Sequence, residues 1–247
     1  MSDFIPTGFG FETYALAALV IFIAAVIQSA FGMGFGQVAA PFLLLVDPSL
    51  VPVTILFMGM TVSILSAYRG RHDIIFKELG TALTGRIVGI FIGAEVMVLI
   101  VASPKFLIVF GCLILFAVGI SLITKRFDPS PLSLIIAGVI SGFMGTITSV
   151  GAPPMGLVYQ NRTGPNVRAT LNAFFGVGTI AALIVLGFYG LVERQHFFLA
   201  VTLFPSLILG TWAARFVFRY VDDKFRPLVL AICSMSAVVI LYKAFLY

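Results

Sequence analysis

Hydrophobic residues run along this chain in long blocks, broken at a few points by glycine, proline or clustered charge. The blocks fall at Tyr14–Ala30, Gln37–Val46, Leu50–Tyr68, Leu79–Ala102 and Pro104–Thr124. They resume at Leu132–Gly145, Pro153–Gln160, Asn166–Gly190, Phe197–Tyr220 and Arg226–Leu246. Several approach the roughly 20 apolar residues that cross a hydrocarbon core as a helix. None alternates with the period of a membrane barrel strand. The pattern predicts an all-α integral membrane protein. Gln37–Val46 and Pro153–Gln160 are too short to cross alone: at ~1.5 Å per residue each spans about half a bilayer. Each follows a break of small residues, which predicts a helical hairpin that either crosses fully or re-enters.

The two breaks resemble each other. Ser29-Ala30-Phe31-Gly32-Met33-Gly34-Phe35-Gly36-Gln37-Val38-Ala39-Ala40-Pro41 returns as Ser141-Gly142-Phe143-Met144-Gly145-Thr146-Ile147-Thr148-Ser149-Val150-Gly151-Ala152-Pro153, at a constant offset of 112 (Ser29 to Ser141). Weaker echoes pair Lys105-Phe106 with Lys224-Phe225, and Gly93 with Gly210. The chain thus divides into a first membrane repeat, residues 14–124, an inner linker, 125–131, and a second repeat, 132–247. A duplicated, interrupted hydrophobic segment points to a transporter binding site.

Charge supplies the orientation. In the first half Arg69, Arg71 and Lys77 crowd one loop and Lys105 stands alone in the next. In the second half the bias reverses: Arg194 stands alone, then Arg219, Lys224 and Arg226 cluster. Under the positive-inside rule the halves are inverted, a 5+5 arrangement if each broken hairpin counts as two passes. With both termini outside, Lys125, Arg126, Arg162 and Arg168 join the inner set, and the outer side keeps only Lys105, Arg194 and Lys243. Composition agrees: the chain is 60% hydrophobic and 10% charged, with a mean hydropathy of +1.14. Its net charge of +5 follows from these loops and implies no nucleic acid. Met1–Thr13 has no Lys or Arg, so it lacks a signal-peptide n-region and is expected to stay in the mature protein. Cys112 and Cys233 lie apart in apolar segments and read as inert thiols, and no metal or cofactor motif is present.

Chemistry is expected at the breaks. Gly34 and Gly36 permit tight backbone paths, while Pro41 and Pro153 suit the first turn of a restarted helix. Free amides from Gly36 to Ala40 and from Thr148 to Gly151 and Ala152 would then face the break, with Gln37, Thr148 and Ser149 adding side-chain donors. Two half-helix N-termini converging near the midplane suit an anion. The competing reading is that these glycines only let helices cross closely.

These residues resemble the sulfite exporter TauE/SafE family of membrane anion transporters. Gly151-Ala152-Pro153-Pro154, then Arg168-Ala169-Thr170-Leu171 and Phe174-Phe175, look like the second half of that family's pattern. The first break carries Gly34-Phe35-Gly36-Gln37 where the family usually has consecutive glycines. The resemblance implies a secondary transporter, often an exporter, of sulfite or an organosulfonate across a bacterial cytoplasmic membrane, with no cofactor.

Three of the charged residues within the predicted spans or at their ends are candidates for function. Arg86 shares a helix face with Ala82, Gly89 and Gly93, the small-residue side that packs inward. It is either a functional intramembrane cation or a side chain snorkelling to the interface. Glu95, on the opposite face among large apolar residues, is the candidate for proton coupling; a structural hydrogen bond or contact with a second subunit in a homodimer competes. Arg168 opens its helix with Asn172 following on one face, which suits an anion path or simply the positive-inside rule. A passive anion channel would use the same site. An intramembrane enzyme is disfavoured, because no HExxH, GxSxG or Walker A motif occurs.

Overall fold

A computed structural model describes residues 10–46, 51–103, 105–122, 128–162 and 164–217, with 235, 238–242 and 244 beyond them. The described residues form α-helices and connecting turns, with no strand among them. The helices are α1 (Phe11–Phe31), α2 (Phe35–Val46), α3 (Val53–Arg69), α4 (Phe76–Ile100), α5 (Lys105–Ser121), α6 (Pro131–Thr148), α7 (Ala152–Val158), α8 (Pro165–Phe188) and α9 (Arg194–Val217). Five of them, α1, α4, α6, α8 and α9, are long and apolar enough to cross a membrane. The chain is an integral membrane protein of helical class. The predicted segment Arg226–Leu246 and the linker residues 125–127 lie mostly or wholly outside the described residues.

Helix partnerships cross between the halves. The closest pairings are α4 with α6, α1 with α9, and α3 with α8; α4 also meets α8, and α3 meets α9. Exchanging α1 with α6, α3 with α8 and α4 with α9 maps this set onto itself. The α4–α6 contact is backbone against backbone. A Cβ at Gly89 would lie 2.0 Å from the Val139 carbonyl oxygen, and one at Gly142 would lie 2.3 Å from that of Arg86. In a bilayer, where water does not drive helices together, such close approach supplies the packing. Gly80 and Gly119 are different, with nothing within 4 Å of the place a methyl would take. Gly80→Ala and Gly119→Ala should therefore leave transport intact and leave the detergent melting temperature unchanged or raised, since alanine favours a helix by up to about 1 kcal/mol.

The breaks are built by local chemistry. α1 ends at Gly32, which is left-handed at φ 80° and whose N–H donates to the Gln28 carbonyl at 2.8 Å. α6 starts on a Ser130–Ser133 capping box with Pro131 at its first position. It ends at Ser149, also left-handed at φ 63°. These caps lie 117 residues apart (32 to 149), and so do the next helix starts (Phe35 to Ala152). The structural register of the breaks is thus not the offset of 112 on which the matching Ser, Phe, Ala and Pro fall. Gly93 and Gly210 do obey the 117 spacing. Pro153 sits in the first turn of α7 as predicted, with Pro154 beside it. Pro41 does not restart a helix, because α2 already begins at Phe35 and Pro41 falls in its interior. There it removes one backbone bond, to the Gln37 carbonyl.

Candidate functional site

The two breaks meet. A Cβ at Gly36, the second residue of α2, would lie 1.8 Å from the Ser149 carbonyl oxygen, so the α2 N-terminus rests on the backbone between α6 and α7. Beside this contact opens a cavity with roughly 430 Å³ of space, its mouth included. Gly34, Gly36, Gln37, Ser149, Gly151 and Arg86, all expected from the sequence, line it. Its wall is completed by polar Gln28, Ser63 and Thr179 and by apolar groups such as Ile55, Leu56 and Phe175.

Arg86 sits near the middle of α4, about 15 Å from that helix's start at 1.5 Å per residue, and is 3% exposed. It does not snorkel. Its Nη1 donates to Ser141 Oγ at 3.1 Å, and Ser141 Oγ donates to the Gly151 carbonyl at 2.6 Å. Its Cζ lies 4.6 Å and 5.1 Å from the ring centroids of Phe174 and Phe175, which stand edge to face with each other. Nε is buried with no hydrogen-bond partner. Among the described residues the one salt bridge is Arg162–Glu78, so no carboxylate there neutralises Arg86. Aromatic faces stabilise the cation without cancelling its charge. A buried guanidinium held in this way is strongly attractive to an anion.

Gln28 organises the first break and is not among the residues that sequence reasoning singles out. Its Oε1 accepts the Phe35 N–H at 3.1 Å, and its Nε2 lies 3.1 Å from the Gly32 carbonyl. Nε2 also reaches Ser63 Oγ at 3.0 Å and Asn172 Oδ1 at 3.2 Å. One side chain therefore spans the gap between α1 and α2 and ties it to α3 and α8. The available signal is a polar residue inside an apolar helix, one turn before the glycines.

Several expected site residues lie elsewhere. Asn172 is buried behind the cavity, donating to the Arg168 carbonyl while accepting from Gln28. Arg168 Nη1 reaches the Ala30 carbonyl at 3.4 Å and so serves the C-terminal end of α1, where a cation is favoured. Thr148 belongs to α6 rather than to the break. Its hydroxyl donates to the Met144 carbonyl at 2.7 Å and accepts the Val150 N–H at 3.1 Å. Ser149 keeps its place on the wall, although its hydroxyl donates to the Pro52 carbonyl at 3.0 Å. Ala40, Pro41 and Pro153 are buried in packing and do not line the cavity. In the second break Pro153 and Pro154 have no N–H to offer, and Ser149, Val150, Gly151 and Ala152 are its contribution to the wall.

Glu95 is far from this centre. It is exposed five residues before the end of α4, and Tyr189, at the end of α8, donates its hydroxyl to it. Phe91, Ile92 and Leu99 around it are exposed as well, as a lipid-facing surface requires. At the start of α4, Glu78 accepts from Tyr159 at 2.7 Å and from Arg162 at 2.9 Å. This cluster fastens the end of α7 to the helix that carries Arg86.

Residues 17–240 match the family model described as Sulfite exporter TauE/SafE. The chain belongs to that family. As a TauE/SafE protein it is a membrane transporter of sulfite- or sulfonate-type anions. The match runs from α1 into the region beyond α9 and includes both breaks. No curated protein and no solved structure matches the chain.

Proposed function

We propose that this TauE/SafE protein is a secondary transporter that exports sulfite or an organosulfonate, holding the anion in the cavity between the two breaks. The observation that carries the reading is Arg86: a guanidinium buried on the cavity wall with no carboxylate partner among the described residues. Burying a cation without a counter-charge is costly, and an incoming oxyanion relieves that cost. The first turn of α2, at Gly36 and Gln37, adds the positive end of a helix. Gly151 and Ala152 bring backbone from the other break.

In this proposal the chain is two inverted repeats of five membrane segments, working by alternating access in a bacterial cytoplasmic membrane with both termini outside. The reversed loop charges support inversion, as does the set of helix pairings that maps onto itself when the halves are exchanged. Rocking one repeat against the other would expose the cavity alternately to each side.

Flux of labelled sulfite, thiosulfate, sulfate and sulfoacetate into proteoliposomes, with and without a pH gradient, tests this reading. Saturable flux of sulfite or sulfoacetate is expected, driven by the gradient. Saturable flux that ignores every imposed gradient would point to uncoupled carriage, and non-saturating flux to a channel; absence of flux for all four anions would remove the assignment. Glu95→Gln separates coupling from binding. Because Glu95 lies away from the cavity, the apparent KM for the anion should stay within about twofold of wild type, as for a distant independent site. If Glu95 carries the coupled proton, acceleration by the pH gradient should disappear in the same variant.

A further inference from the structure

Most crowded glycines here make room for backbone. A methyl at Gly85, Gly89, Gly138 or Gly142 would strike a carbonyl oxygen of the facing helix first. Gly178, on α8, is different. The three atoms nearest a Cβ there all belong to the Arg86 side chain: Nε at 1.8 Å, Cδ at 2.2 Å and Cζ at 2.7 Å. One turn earlier on α8, Phe174 and Phe175 present their rings to the same guanidinium, and Ser141 of α6 holds Nη1. The cation is thus seated against a bare stretch of α8 backbone. Beside it the cavity continues past Thr179 and Gly145, the latter with its Cβ position 3.9 Å from Nη2.

We propose that Gly178 is a positioning residue for the transported anion: its missing side chain sets how deeply the Arg86 guanidinium sits and which edge it turns to the cavity. The proposal rests on the reading of Arg86 as the anion-binding group. An alanine at 178 would drive the guanidinium off its seat while leaving its charge in place. The obstacle is the far end of a flexible side chain, so the helices need not part. Misplacing a charged donor by an ångström or more weakens its hydrogen bonds steeply.

The test uses purified full-length protein carrying Gly178→Ala, Arg86→Ala, or both, with sulfite flux in proteoliposomes and melting temperature in detergent as readouts. Gly178→Ala is expected to raise the KM for sulfite about tenfold or more, the loss expected for one displaced charge-assisted hydrogen bond, with a smaller change in kcat. Its effect on melting temperature should depend on Arg86. It should lower the temperature when Arg86 is present and leave it unchanged or raised in the Arg86→Ala background, where the methyl fills vacated space. A purely structural glycine would lower stability equally in both backgrounds, and that result, or a wild-type KM in a folded Gly178→Ala protein, overturns the proposal. Wild-type flux in Arg86→Ala would instead overturn the anion-site reading, while the melting-temperature cycle would still report whether Gly178 seats Arg86.

Discussion

Arg86→Gln is expected to abolish most transport while leaving the empty protein as stable as before or more so. The two halves of this result have separate causes. Arg86 is buried at the cavity wall and makes one hydrogen bond, through Nη1 to Ser141. Removing its charge relieves a desolvation cost that no carboxylate among the described residues offsets, so the melting temperature in detergent should hold or rise. The anion, by contrast, would lose the cation it binds. Charge-assisted hydrogen bonds contribute about 1.5–3 kcal/mol each. Losing two of them should lower the apparent affinity for sulfite by roughly 100- to 10,000-fold. Arg86→Lys keeps the charge but loses the planar fork and the stacking on Phe174 and Phe175, so it should fall between the two. Flux and melting temperature measured on the same preparations check both halves. A purely structural Arg86 would show the reverse pattern, with lower stability and little change in KM.

Gly36→Ala should instead damage the scaffold itself. The new methyl would sit 1.8 Å from the Ser149 carbonyl oxygen and 2.7 Å from its carbon. Both are backbone atoms held between two helices, and Ser149 is already in the left-handed region, at φ 63°. Neither side can yield by turning a rotamer, so α2 must move away from the second break. Overpacking of well-fitted interiors costs about 1–3 kcal/mol, and an obstacle made of backbone places this change at or above the top of that range. The expected result is a lower melting temperature together with lost flux. That combination distinguishes Gly36 from Arg86, where only flux should fall. An unchanged melting temperature would mean that the contact between the breaks is not what holds them together.

Much of this is legible in the chain. Continuous apolar blocks fix helices in a bilayer because every backbone group must be satisfied within its own segment. The helical period places Arg86 on the face with Gly89 and Glu95 on the opposite face, and α4 bears this out: one is buried and the other exposed. Breaks of small residues mark where α1 and α6 stop, and six of the expected site residues line the cavity between them. The misses share a cause. Closeness in sequence to a break points to Pro41 and Thr148, and a shared helix face to Arg168 and Asn172, but a few residues along a helix rotate a side chain to another face and another partner.

The sequence by itself determined the class of the molecule, the presence of a break in each half, and the small-residue face on which Arg86 lies, since these depend on local periodicity and backbone freedom. Only the tertiary structure decided the register of the breaks, 117 residues rather than 112, because that depends on where each left-handed cap stops its helix. It alone decided that Gln28 bridges the first break, that Phe174, Phe175 and Ser141 hold the guanidinium, and that Gly178 leaves room for it. Those are contacts between residues tens of positions apart or more, or across a break in the helix. No local pattern records them, because they exist only once the helices have packed.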